Sequence, residues 1–197
     1  ITHGEYQKLT DFLTQKKHPA LLAVQIAYYA GLRIGEVCGL TWQDINLDEQ
    51  YLTVRRSMRY NGTRHKHEVG TTKRSKVRTV DFCDTLADIL RKVTTEQHKN
   101  RFLYGELYHL NYCKTVKEKG RTYYEVYSRQ RTQETPENDR ELSFVCLKED
   151  GAFVSASAVG QICRKAKAEV EGLEDFHFHT LRHTYTSNLL SGGAKPK

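Results

Sequence analysis

The sequence predicts a mixed α+β domain, mainly helical, with a small antiparallel β-sheet. Three observations carry that expectation. Apolar residues recur at helical spacing near both ends of the chain. Two segments, 51–58 and 76–82, alternate apolar and polar residues as half-buried strands do. The 197 residues, 38% of them hydrophobic, are enough to bury a real core.

Thr2-His3-Gly4-Glu5 has the form of a capping box, and Tyr6, Leu9, Phe12 and Leu13 follow at helical spacing, so a first helix runs to about Lys17. Residues 20–30 are apolar on most sides and predict a buried helix, stopped by Gly31 as its C-terminal cap. Arg33 then sits among Leu32, Ile34, Val37 and Leu40. A guanidinium there is costly to desolvate unless paired, and Glu36 at i+3 is an available partner. Either the two form a simple ion pair, or Arg33 projects from a helix start into an anion site that Glu36 helps to orient.

After a short strand end and turn at 44–50 come the two strands. The stretch between them, 59–75, is rich in basic residues, including Arg64-His65-Lys66-His67 and Lys73-Arg74. It reads largely as a solvated hairpin tip. Leu86, Ile89, Leu90 and Val93 mark a helix from Asp84 to about Arg101. From about 104 to 141 an inserted hairpin or loop region interleaves Tyr108, Tyr112, Tyr123, Tyr124 and Tyr127 with Lys114, Lys117, Lys119, Arg121, Arg129 and Arg131. That mixture suits nucleic acid, a protomer contact, or a loop packed by its own tyrosines. Residues 144–147 predict a short strand and Asp150-Gly151 a turn. Ser155 or Ser157 caps a helix with Val159, Ile162, Cys163, Ala166 and Val170 on its apolar face. In a last helix His179 and Arg182 share a face with Thr186, while Leu181, Tyr185 and Leu189 form an apolar stripe. An imidazole beside a guanidinium suits an oxygen-rich anion such as phosphate.

Composition narrows the partners. The 31 Lys+Arg against 24 Asp+Glu leave a net charge of +7, which favours a polyanion such as nucleic acid. No apolar run is long enough to span a bilayer and no signal pattern opens the chain, so a cytoplasmic location is expected. The five cysteines, Cys38, Cys83, Cys113, Cys146 and Cys163, are widely spaced, odd in number and without a C-x-x-C pair, and read as buried thiols in a reducing compartment. His179 and His183 have the i,i+4 spacing of zinc helices, with His177 nearby. Thr180 stands where that motif needs Glu, so no metal site is expected.

Three motifs carry a resemblance: Gly31-Leu32-Arg33-Ile34-Gly35-Glu36, then Thr72-Lys73-Arg74-Ser75-Lys76-Val77-Arg78-Thr79-Val80, then His179-Thr180-Leu181-Arg182-His183-Thr184. In this order and at this separation they resemble the G-L-R-x-x-E motif, hairpin lysine and H-x-L-R-H-T motif of tyrosine recombinases of the phage-integrase type. In appearance the chain is most like the integrases of conjugative transposons. The resemblance implies a single catalytic domain over 1–197 that performs site-specific DNA recombination by transesterification, through a 3′-phosphotyrosyl intermediate. It implies Arg33 and Arg182 as donors to the phosphate, His179 as a further donor or proton shuttle, and Lys73 as the acid that protonates the departing 5′-oxygen. Lys76 is the runner-up for that acid. Glu36 is a supporting residue, and Arg74, Arg78 and His183 are DNA contacts. Double-stranded DNA and further recombinase protomers are the expected partners. No cofactor or metal is required, because two guanidiniums supply the charge a cation would otherwise supply.

The chain departs from the family in one respect. The family continues past the last motif to a nucleophilic tyrosine on a later helix, and none of the 12 tyrosines here stands in that place. The domain is therefore expected to be truncated, with the nucleophile outside this chain. Two rivals share the features: a DNA-binding module of the same fold without catalysis, and a type IB topoisomerase, which uses a similar Arg, Lys, Arg, His set.

Overall fold

The computed structural model describes residues 1–72, 76–134 and 137–191. Helix α1, His3–Gln15, opens on a reciprocal cap: the Thr2 hydroxyl accepts from the Glu5 amide at 3.2 Å and the Glu5 carboxylate accepts from the Thr2 amide at 2.8 Å. Its Tyr6, Leu9 and Leu13 pack inward against α2, Ala20–Ala30, which is buried along most of its length. Gly31 ends α2 at φ +64°, a left-handed conformation that only glycine adopts without strain. The chain then enters α3, Ile34–Cys38.

Two antiparallel sheets follow. The small one is ordered β1-β2-β5, from Ile45–Asn46, Tyr51–Val54 and Arg78–Asp81. The second is ordered β3-β4-β7-β6-β8, from Arg56–Asn61, Lys66–Thr71, Arg121–Gln130, His109–Glu118 and Arg140–Glu141. Segment 51–58, expected as one strand, divides at Arg55 between the two sheets. The buried carboxylate of Asp44 bonds both Arg55, at 3.1 Å, and Arg56, at 2.9 Å. Consecutive side chains of a regular strand point to opposite faces, so two neighbours converging on one carboxylate require the backbone to bend there.

The described part of the basic stretch, 59–72, is solvated at its tip, where Gly62, Thr63, His65 and Lys66 are exposed, but it is also paired structure. Strands β3 and β4 form a hairpin that pairs with β7, His67 lying opposite Val126 and Glu68 opposite Glu125. Two of its arginines meet a buried acid: Glu68 accepts from Arg59 at 3.2 Å, Asn61 at 2.9 Å and Arg64 at 3.1 Å. Arg64 also pairs with Glu118 and Glu125 and lies 4.0 Å over the Tyr123 ring. Most of region 104–141 is therefore the paired ladder β6–β7 with its flanks. Buried Asn111 ties that ladder to the next turn, donating to the Gly151 carbonyl at 2.9 Å and accepting from the Phe153 amide at 3.1 Å.

Helix α4, Asp84–Tyr104, precedes the ladder, and α5, Ala156–Glu169, and α6, Phe178–Ser191, follow it. Segment 144–147 forms isolated bridges, Phe144 to Thr41 and Leu147 to Phe153, in place of a strand. Ser155, not Ser157, caps α5 by accepting from the Ala158 amide. One core joins Leu9, Ile26, Leu52, Leu86, Phe144, Val159 and Leu181. The apolar stripe of α6 is packed at Leu181, which is buried, and at half-buried Tyr185, but Leu189 is 44% exposed. Cys38, Cys146 and Cys163 are buried, whereas Cys113 is half-buried and Cys83, standing before the first turn of α4, is exposed. Among the described residues no helix is long and apolar enough to cross a membrane.

Candidate active site

The left-handed turn at Gly31 sets the site. It delivers Leu32 into the core and leaves Arg33 in extended backbone at the start of α3, its side chain 43% exposed. Glu36, in the first turn of α3, is 2% exposed. Its carboxylate accepts from the Arg33 amide at 2.9 Å and from Arg33 Nη1 at 3.1 Å. Arg78, the first residue of β5, then closes on both Glu36 oxygens, Nη1 at 2.9 Å and Nη2 at 2.7 Å. Burial pushes the Glu36 carboxyl up, but the hydrogen bonds from Arg78 and Arg33 outweigh it and hold the group at about 2. Glu36 is a fixed anion.

Arg182 reaches the same place from α6, where its Nη1 donates to the Gly31 carbonyl. Its pKa is lowered by burial first and then by Arg33 and Arg78, while Glu36 acts in the opposite sense. Two guanidiniums, Arg33 and Arg78, thus share one buried carboxylate, and a third, Arg182, is held beside them on the Gly31 carbonyl. They leave cationic charge uncompensated beside an open surface. His179, one turn before Arg182 on α6, faces that charge. Its pKa is lowered by partial burial and by His183, Arg182 and Arg33, so the neutral imidazole is favoured. His183 lies edge-on to it, ring centroids 4.7 Å apart. Such an arrangement can bind a phosphate-like anion through planar donor forks, with a neutral imidazole at its edge to donate or accept a proton.

The comparison with known proteins decides the family. All of the chain, residues 1–197, matches the phage integrase family. The chain belongs to it. Within this family it is similar to the XerC-like tyrosine recombinase of Caldanaerobacter subterraneus subsp. tengcongensis, with 25% identity over 98% of this chain and 44% of the relative. It is also similar to the prophage integrase IntR of Escherichia coli, with 26% identity over 87% of this chain and 36% of the relative. The chain spans less than half the length of these relatives. In fold it resembles the Tn1549 transposon integrase solved in complex with transposon right end DNA, with a TM-score of 0.64 and 19% identity over 99% of this chain and 54% of that one. The crystal structure of XerA recombinase is a further likeness, with a TM-score of 0.59 and 15% identity over 99% of this chain and 52% of that one.

Of the residues singled out in this integrase-family sequence, Arg33, Glu36, Arg78 and Arg182 form the cluster, with His179 and His183 at its edge. Lys73 and Arg74 lie outside the described residues. Lys76 is exposed, and its carbonyl accepts from the buried Thr72 hydroxyl. Arg78, read from sequence as a DNA contact, spends its fork on Glu36. The one sequence signal for that pairing was a buried acid adjoining an apolar helix, and the nearer Arg33 claimed it. The contact of Tyr185 with Gly31 was also not apparent. Its ring covers Gly31 so closely that a β-carbon there would lie 2.2 Å from the ring. Burial, and secondarily Asp81, raises the phenol pKa. Among the described residues no group of three His, Cys, Asp or Glu side chains is placed to hold a metal.

Proposed function

We propose that this chain carries most of the active site of a site-specific DNA recombinase that cleaves and rejoins DNA through a 3′-phosphotyrosyl intermediate. The observation that carries the reading is that Arg33 and Arg78 share the carboxylate of Glu36 while Arg182, bonded to the Gly31 carbonyl two residues before Arg33, lies close enough for the three cations to act on one another, with His179 beside them. In-line attack of a tyrosine oxygen on a phosphodiester concentrates negative charge on the non-bridging oxygens. Fixed guanidinium donors aimed there stabilise the transition state more than the ground state. Arg33 and Arg182 take those oxygens, and Glu36 with Arg78 holds Arg33 in place. His179 donates to the phosphate or accepts the phenol proton. A lysine from the sequence between β4 and β5, Lys73 before Lys76, protonates the 5′-oxygen as its bond to phosphorus breaks. Rejoining is the reverse.

In this reading the nucleophile is a tyrosine outside this chain. Tyr185, the tyrosine nearest Arg182 in sequence, is packed by its ring and held protonated, which supports its exclusion. The substrate is duplex DNA at paired recombination sites, in the cytoplasm, with further protomers completing the assembly. The net charge of +7 and the fold shared with an integrase solved on transposon DNA support that partner. Two assays test it. The chain alone should bind duplex DNA with an affinity that falls steeply with salt, and form no covalent adduct on a nicked suicide substrate. The full-length protein should form a tyrosine-linked adduct on the same DNA. Binding without any adduct from the full-length protein would leave only a DNA-binding module.

A further inference from the structure

Helix α6 does more than carry Arg182. Two of its side chains, one turn apart, hold the same residue: Arg182 donates to the Gly31 carbonyl, and the Tyr185 ring covers the Gly31 α-carbon. A β-carbon at Gly31 would meet Tyr185 Cδ1 at 2.2 Å and Cε1 at 2.8 Å, so the ring uses space that only glycine leaves open. Gly31 is also the left-handed residue that turns the chain toward Arg33 two positions later. Gly31 is therefore a direct link between the backbone that carries Arg33 and the helix that carries Arg182.

We infer that Tyr185 is a positioning residue that clamps α6 onto the Gly31 turn, fixing the distance between Arg182 and Arg33 so that the two guanidiniums act on one phosphate. The ring does this, and the hydroxyl is dispensable. A flat aromatic lies against bare backbone where a branched or flexible side chain would leave gaps. The burial that raises the phenol pKa agrees with a packed ring and not with an exposed, reactive one. Misplacing a catalytic donor by about 1 Å costs on the order of 100-fold in rate, so a small loss of packing is amplified. The inference rests on the recombinase reading for its consequence in catalysis, but its structural half does not.

Two measurements test it. In the chain itself, nitrogen-detected NMR of arginine side chains should show hindered rotation of the Arg182 guanidinium, with Nη1 and Nη2 resolved, in wild type and Tyr185→Phe. The two should average together in Tyr185→Leu and Tyr185→Ala. In the full-length protein, Tyr185→Leu should lower cleavage of a normal phosphodiester by about 10- to 100-fold with DNA affinity within about twofold, and Tyr185→Phe should restore it. On a methylphosphonate at the scissile position, which lacks the non-bridging charge, Tyr185→Leu and wild type should cleave alike. A general destabilisation would slow both substrates equally and would overturn the inference. So would an Arg182 signal indifferent to Tyr185→Leu. Should wild type form no adduct on any substrate, the recombinase reading fails while the NMR result still decides whether Tyr185 holds Arg182.

Discussion

Arg78 grips both oxygens of Glu36, at 2.9 and 2.7 Å, across 42 residues of sequence. The contact joins the small sheet to the start of α3 and so ties the arginine-bearing turn to β5. It is also the reason that a carboxylate 2% exposed stays ionised. Breaking a buried pair from one side leaves an uncompensated charge, which costs more than the pair itself contributes.

Acid titration tests that pairing. Glu36 is held at about 2, below its ordinary 4.5, so its stabilisation is fully present above pH 4.5 and is lost as pH falls toward 2. The difference corresponds to on the order of 3 kcal/mol. Urea unfolding at several pH values should therefore show wild type losing roughly that much more stability than Glu36→Gln between pH 5 and pH 2. Parallel pH profiles for the two proteins would mean that Arg78 does not hold the charge.

His179 offers a second titration with the opposite diagnostic. Burial, His183 and the neighbouring guanidiniums lower its pKa, so NMR should place its midpoint below the ordinary 6.5. The imidazole is then neutral at pH 7, and the unfolded chain takes up its proton first as pH falls, so this group destabilises the fold below about pH 6.5. Arg182→Gln should move the midpoint upward by removing a nearby cation. A midpoint above 6.5 in wild type would point to an anion beside the ring.

The proton donor can be assigned by substrate chemistry. A 5′-oxygen leaves as an alcohol and needs a proton, whereas a bridging sulfur leaves as a thiolate, whose conjugate acid has a pKa of about 8.5 in the cysteine reference case. In the full-length protein, Lys73→Ala should be slow on the normal DNA and largely restored on the sulfur-bridged one. Lys76→Ala should show a modest binding loss and no selective rescue. Rescue of Lys76→Ala instead would move the acid three residues along the chain.

Much of the fold was legible because its signals are local. The Thr2–Glu5 cap, the Gly31 stop after an apolar run and the Ser155 cap each lie within four residues of the feature they specify. The sheets were less legible because strand partners are remote. Nothing within 51–61 indicates that Asp44 will draw in both Arg55 and Arg56, or that β4 will find β7 more than fifty residues on. The basic hairpin looked solvated because its buried counter-charges, Glu68 among them, are visible only once that pairing is known. Arg33, His179 and Arg182 stood out as short motifs. Their joint action on one phosphate was implied by the family resemblance, but the contacts that position them were not, since Arg78 and the carbonyl of Gly31 supply these across 42 and 151 residues.

Single-turnover cleavage by the full-length protein on a nicked suicide substrate tests most directly whether Arg33 and Arg182 act, as proposed, as one phosphate clamp. Arg33→Ala and Arg182→Ala should each slow cleavage by roughly two or more orders of magnitude, comparable with losing an oxyanion donor, while DNA affinity changes far less. Arg33→Lys should fall short of wild type, because a point charge does not reproduce the planar fork held by Glu36. Cleavage at a near wild-type rate by either alanine variant would mean that the substituted arginine does not act on the phosphate.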